Sequence, residues 1–238
     1  MTTVGIRPTL YIAVVPGLFA AVAIVFAARE AAGRAEPVRR RMRLEVGALR
    51  EAGIARALAP VTFFELGNCA VTLLILRAST LLHPGRTTSA AAAVAVLLYA
   101  GHNAVASASA LPAGHVIDRR GPRAVFALGL VAFGLAYLGF AWSTHPWPFL
   151  LLFFVLAGAG VGLAETAESA LVARLLPDAL RGSGFGLLGA VQSLGDFVSS
   201  AAVGLVWTIV SPRAAFLVAA AWMLLSLLAT GLIRPEQR

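Results

Sequence analysis

Seven long runs of apolar residues, separated by short polar segments, divide the chain at roughly 9–28, 57–83, 88–111, 124–142, 147–172, 183–209 and 213–233. A hydrocarbon core of about 30 Å takes roughly 20 helical residues to cross, and each run reaches or approaches that length. Continuous β-barrel alternation is absent, and a helix is the other element that satisfies its own backbone in lipid. The pattern predicts an all-α membrane protein of about seven transmembrane helices. One polar stretch, 29–56, interrupts it. There Val38, Met42, Val46 and Leu49 fall on one helical stripe flanked by Arg39, Arg40, Arg43 and Arg50. This spacing fits an amphipathic helix at the inner membrane surface or a solvated linker helix. The expected organisation is a first transmembrane helix (1–28), a basic cytoplasmic linker (29–56), a six-helix bundle (57–233) and a cytoplasmic tail (234–238).

Composition agrees with the bilayer as solvent. Hydrophobic residues make up 59% and charged residues 13%, against about 25% charged in a soluble domain. The net charge is +8, and every one of the 19 basic residues is arginine. Such a balance would suit nucleic acid, but the arginines sit between apolar runs, so lipid is the expected partner and nucleic acid is not. Only Arg7 precedes the first run, while Arg29, Arg34, Arg39, Arg40 and Arg41 follow it. That order, and a run longer than a signal peptide's apolar region, predict an uncleaved helix. The positive-inside rule then places the N-terminus outside and the C-terminus in the cytoplasm of a plasma or inner membrane. Spans two to four and five to seven run in opposite senses, an arrangement common in transporters.

Little enzyme chemistry is visible. Cys69 is the single cysteine, the four histidines show no metal-ligand spacing, and no phosphate-binding or nucleophile motif appears. No cofactor, metal or catalytic activity is expected. Gly158 and Gly162 are spaced for close helix packing inside an apolar run.

Two polar junctions carry more information. Between spans three and four lie Gly114, Asp118, Arg119, Arg120, Gly121, Pro122 and Arg123; between spans five and six lie Leu176-Pro177-Asp178 and Arg181-Gly182. The first resembles the Gly-x-x-x-Asp-Arg-x-Gly-Arg-Arg loop of the major facilitator superfamily, with Pro122 where a basic residue is frequent. The second is similar to the Pro-x-x-x-Arg-Gly segment of the matching loop. Phe64-Glu65-Leu66-Gly67-Asn68 through Arg77 looks like that superfamily's seventh helix. The resemblance implies that the chain is a C-terminal half, comprising the sixth helix, the central loop and helices seven to twelve. Family members hold a small solute between two six-helix halves, so a missing N-terminal half or a homo-oligomer is implied. A fragment, a truncated product and a subunit all fit. The implied function is secondary transport by alternating access, with efflux suggested by the resemblance alone. The alternative is a non-transporting remnant or assembly partner.

Ionisable groups inside spans each cost at least about 2.5–3.5 kcal/mol on insertion scales, so they need a partner, water or a task. Glu65 and Glu165 stand out as candidate proton or substrate groups, on helices that the resemblance makes symmetry-related and cavity-lining. Asp196 shares a helical face with Gln192. Asn68, His102 and Asn103 are polar enough to touch a solute. Arg77 either meets an anionic group or snorkels to the interface. Glu168 is expected to pair with Arg119 or Arg123. Gly114, Asp118, Arg119, Arg120, Gly121, Arg123, Glu168, Arg181 and Gly182 form the expected gating set, with Asp118 facing a helix N-terminus.

Overall fold

The computed structural model of the chain describes Val22, Val25, Phe26, residues 46–143 and residues 147–233. The chain divides into two units, Met1–Arg43 and Leu44–Arg238. In the first, Val22, Val25 and Phe26 are helical and exposed. The rest of the first expected span, most of the basic linker and the tail lie outside the described residues.

The second unit is a bundle of helices: α1 (Val46–Glu51), α2 (Ile54–Gly67), α3 (Val71–Leu82), α4 (Thr88–Arg120), α5 (Pro122–Trp142), α6 (Trp147–Leu175), α7 (Asp178–Ile209) and α8 (Pro212–Ala229), closed by a 3-10 turn at Thr230–Leu232. Among the described residues there is no strand. Among the described residues, six segments are long and apolar enough to cross a membrane, with α2 and α3 together making one of them. The fold is that of an all-α membrane protein.

Local chemistry sets the helix ends. Thr87 Oγ1 accepts the Ala90 N–H at 3.3 Å, and Ser211 Oγ accepts the Ala214 N–H at 3.1 Å, each satisfying a donor that has no partner within its helix. Pro122 and Pro212 occupy first turns, where a missing N–H costs nothing.

Two expected boundaries are corrected. The run 88–111 was expected to end in a loop carrying the Gly114–Arg123 motif, but α4 continues through Pro112 to Arg120. Only Gly121, at φ 79°, separates it from α5. Hydropathy marks where hydrocarbon ends, whereas helical hydrogen bonding continues into the polar interface. The run 57–83 was expected to be one helix. It is two, because the chain leaves helical geometry at Asn68, Cys69 and Ala70.

α5 packs against both α6 and α8, α4 packs on α6, and α2 packs on α8 and α7. Gly158 and Gly162 let α6 meet α4 closely: a Cβ at either would run into the backbone carbonyl of His102 or Ala106. Aromatic rings fill the centre. Phe140 stacks on Phe216 with centroids 5.4 Å apart and meets Phe154 edge-on at 5.3 Å. Arg213 lies over the Trp142 ring at 5.2 Å, joining the start of α8 to the end of α5.

Candidate functional site

The break between α2 and α3 organises the polar interior. Unwound backbone at membrane depth needs protein or water partners for its freed groups. Here the Cys69 N–H donates to the Tyr137 hydroxyl at 3.2 Å and the Ala70 N–H donates to Ser200 Oγ at 3.1 Å. The Asn68 N–H turns back to the Phe64 carbonyl at 2.8 Å. The break is thus held by α5 on one side and α7 on the other.

Asn68 spans two carboxylates. Its Nδ2 donates to Glu65 Oε2 at 3.1 Å and to Asp196 Oδ1 at 3.3 Å. One amide nitrogen thus joins the carboxylates of α2 and α7. Gly195 permits the approach, because a Cβ there would collide with the side chain of Glu65. Glu168, one turn along α6 from Glu165, is 1% exposed. Gln192 Nε2 donates to its Oε2 at 2.9 Å, and its Oε1 is buried without a hydrogen bond. The hydrogen bond therefore comes from Gln192, where Arg119 or Arg123 was the expected partner. Burial divides the carboxylates: Glu65 and Glu168 are buried, while Glu165 and Asp196 are exposed.

Three expected candidates lie elsewhere. Arg77 donates from Nε to the Phe140 carbonyl at 3.1 Å and from Nη2 to the Ser143 carbonyl at 3.3 Å. It thereby satisfies carbonyls at the C-terminal end of α5. The His102 ring is buried, with Nδ1 3.3 Å from the Phe154 carbonyl. Exposed Asn103 bonds back to Tyr99 of its own helix at 3.1 Å.

The junction residues form a separate group. Asp118 sits in the last turn of α4 and pairs with Arg174 at the end of α6, 3.0 Å away. Arg181 reaches Asp178 at 2.6 Å and donates from Nε to the Ala173 carbonyl at 3.0 Å, capping the end of α6 from the start of α7. Gly121 supplies the left-handed residue between α4 and α5. Gly114 and Gly182 have open space around their Cα atoms, and Arg119, Arg120 and Arg123 cluster with Gly121 at this end of α4 and α5.

Tyr137, Ser200 and Gly195 were missed by sequence reasoning. Nothing marks a tyrosine, serine or glycine in an apolar helix as special. The Gly67-Asn68 pair did carry a signal, since Gly followed by Asn is a helix-ending combination.

Comparison with known proteins agrees with this architecture. The chain is 29% identical over 154 residues to an uncharacterized MFS-type transporter of Methanocaldococcus jannaschii, an alignment covering 65% of this chain and 38% of that protein. The chain therefore spans well under half the length of this relative. The family model of the Major Facilitator Superfamily matches residues 58–238, which takes in five of the six described spans whole and the first from Leu58 onward, and fits a C-terminal half. This multi-pass membrane protein belongs to the Major Facilitator Superfamily.

Proposed function

We propose that the chain is one half of a secondary transporter that moves a small organic solute by alternating access, with protons as the coupling ion and efflux as the direction. One observation carries the reading: Glu165 and Asp196 are exposed on helices long and apolar enough to span a bilayer. A carboxylate at that depth costs at least about 2.5–3.5 kcal/mol against lipid, so this face is suited to water or to protein. A water-filled cavity closed by a second half satisfies both conditions. The second half is either the remainder of a longer protein or another copy of this chain. Rocking of the two halves about a central site would then expose the carboxylates to each side in turn. The broken helix α2–α3 puts Asn68 between Glu65 and Asp196, where small rearrangements of the break would redistribute its two hydrogen bonds.

Gln at positions 65 and 165 preserves shape and most hydrogen bonding while removing titration. In the assembled transporter, the Glu65→Gln, Glu165→Gln double variant is expected to exchange solute yet lose accumulation driven by a pH gradient. Unchanged proton-driven accumulation would eliminate proton coupling through this pair. Purified protein shown to be monomeric is expected to give no saturable flux in proteoliposomes; flux from the monomer would refute the need for a second half. Reporter fusions at Arg238 and within 29–56 are expected on the cytoplasmic side.

A further inference from the structure

α5 and α8 pack against each other, and beside that contact they leave an open groove of about 380 Å3. Val131, Leu135 and Leu138 line it from α5, and Leu217, Ala220 and Leu224 line it from α8. Among the described residues its lining is wholly apolar side chains and glycine. The volume is more than ten times a water molecule's share of about 30 Å3, yet such a lining offers water no hydrogen-bond partner. Gly134 deepens the groove: a Cβ there would meet Met223 Cβ at 3.5 Å, an ordinary van der Waals contact. Both helices are long and apolar enough to span a bilayer, so the groove opens on hydrocarbon. There an apolar surface has no hydrophobic drive of its own, and an occupant is selected at the ends.

One end is charged. Positions three and four apart share a helical face, so Trp142 continues the α5 stripe and Arg213 begins the α8 stripe. The two stripes converge where Arg213 lies over the Trp142 ring at 5.2 Å. Arg213 is exposed, and among the described residues its side chain has no hydrogen bond or ion pair. No acid offsets it nearby: α3, α5, α8 and the turns 83–87, 143–146 and 210–211 contain no Asp or Glu, while Arg86 stands in one of those turns. From Val131 to Trp142 α5 rises about 16 Å, which matches one leaflet of a core about 30 Å thick. Tryptophan is also a side chain favoured at headgroup level.

We infer that the groove seats one acyl chain of an anionic phospholipid, with the lipid phosphate on Arg213. The chain fills the apolar length, and the headgroup supplies the negative charge that this end of the bundle lacks. An uncharged lipid would leave Arg213 unmatched. A second copy of the chain, related by a two-fold axis along the membrane normal, would bring its own Arg213 to the same depth, like charge against like. The seat does not depend on the transporter reading.

The test uses the full chain in phosphatidylcholine nanodiscs, one chain to a disc. Trace phosphatidylglycerol or trace phosphatidylcholine, each with a diazirine midway along one acyl chain, is added and illuminated. Peptide mass spectrometry then maps the labelled residues. Labelling of 131–138 and 217–227 is expected to be about fivefold higher with the phosphatidylglycerol probe, as for one arginine at an anionic headgroup. Arg213→Gln is expected to bring the two probes to equality, and Arg86→Gln to keep the preference. Gly134→Leu, which fills the groove without touching Arg213, should reduce labelling there by both probes. Ala221→Leu fills it from the other wall and decides the point if Gly134→Leu does not fold. Equal labelling of the wild type by both probes, or a preference that survives Arg213→Gln, would overturn the inference. An equal fall in Arg86→Gln would do so too, by showing diffuse attraction to a basic end. Loss of groove labelling when two chains share a disc would assign the groove to a second copy and overturn the lipid seat.

Discussion

α5 and α7 are both apolar and long enough to cross a bilayer, yet they meet opposite surroundings. Half of the most apolar stretch of α5 is buried inside the bundle, against 17% of that of α7. α5 contributes Phe133, Tyr137 and Phe140 to the packed centre. α7 turns Leu194, Phe197, Leu205 and Ile209 outward, and Asp196 with them. In lipid there is no hydrophobic drive to separate an inner from an outer apolar face. What distinguishes these helices is packing on one and polarity on the other. α5 is a packed axis of the bundle; α7 is an exposed wall of it.

The largest effect expected from that contrast is a difference between two phenylalanines. Phe140→Ala removes a ring that stacks on Phe216 and meets Phe153 and Phe154 edge-on. A loss of about 3–5 kcal/mol is expected on the large-to-small scale. Phe197→Ala, at 73% exposure, is expected within about 0.5 kcal/mol of wild type, as for surface changes generally. Equilibrium unfolding in mixed micelles measures both. Equal losses would erase the distinction between the helices.

A smaller effect should appear where α6 meets α4. Gly162→Leu forces a side chain against the Ala106 carbonyl, and overpacking of this kind costs about 1–3 kcal/mol. Gly189 on α7 has open space; Gly189→Leu should cost less than the change at Gly162. A thermal shift series on the two variants ranks them. A larger loss at Gly189 would mean that α7 is as tightly packed as α6.

Tyr137→Phe sharpens the comparison at the point where the packed axis touches the site. The hydroxyl accepts from the Cys69 N–H, and that N–H also has the Gly67 carbonyl at 2.9 Å. The loss is therefore expected near 1 kcal/mol, the usual net worth of one hydrogen bond. Amide hydrogen exchange at Cys69 and Ala70 should rise while exchange in the middle of α5 stays unchanged. Faster exchange throughout α5 would show that the hydroxyl supports the core and not the break.

The sequence made the two regions legible to different degrees. Spans were readable because an apolar run of the right length has few alternatives in lipid. Glu65, Glu165, Glu168 and Asp196 were readable because a carboxylate inside such a run stands out. The break at Asn68–Ala70 had only the Gly67-Asn68 pair to mark it, since apolar residues continue on both sides of it. The groups that stabilise it, Tyr137 and Ser200, lie 68 and 130 positions further along. That Asn68 joins two carboxylates from different helices depends on the same long-range packing and on the room left by Gly195. The extension of α4 to Arg120 was hidden for another reason: charged residues end the hydrocarbon but do not end a helix.

The smallest effect expected lies at the junction of α4 and α6, outside both regions. Asp118 was expected to face a helix N-terminus; its carboxylate pairs with Arg174 at 3.0 Å, with the Asp118 side chain 79% exposed. An exposed pair is worth about 0.2–1 kcal/mol because solvent and salt screen it and two side chains must be held in place. Asp118→Asn keeps the size and removes the charge. A double-mutant cycle with Arg174→Gln isolates the pairwise part from whatever else Arg174 contacts. The coupling should fall within that range at low ionic strength and shrink in about 1 M salt, where the screening length is roughly 3 Å. In an assembled transporter the same substitution should shift the balance between inward- and outward-facing states by no more than that coupling. It should leave solute affinity in the binding-competent state unchanged, because Asp118 is not among the groups joined by Asn68 and Gln192. A coupling well above about 2 kcal/mol, insensitive to salt, would mean that this pair is buried in the working protein and that the junction belongs to the same wall as α7.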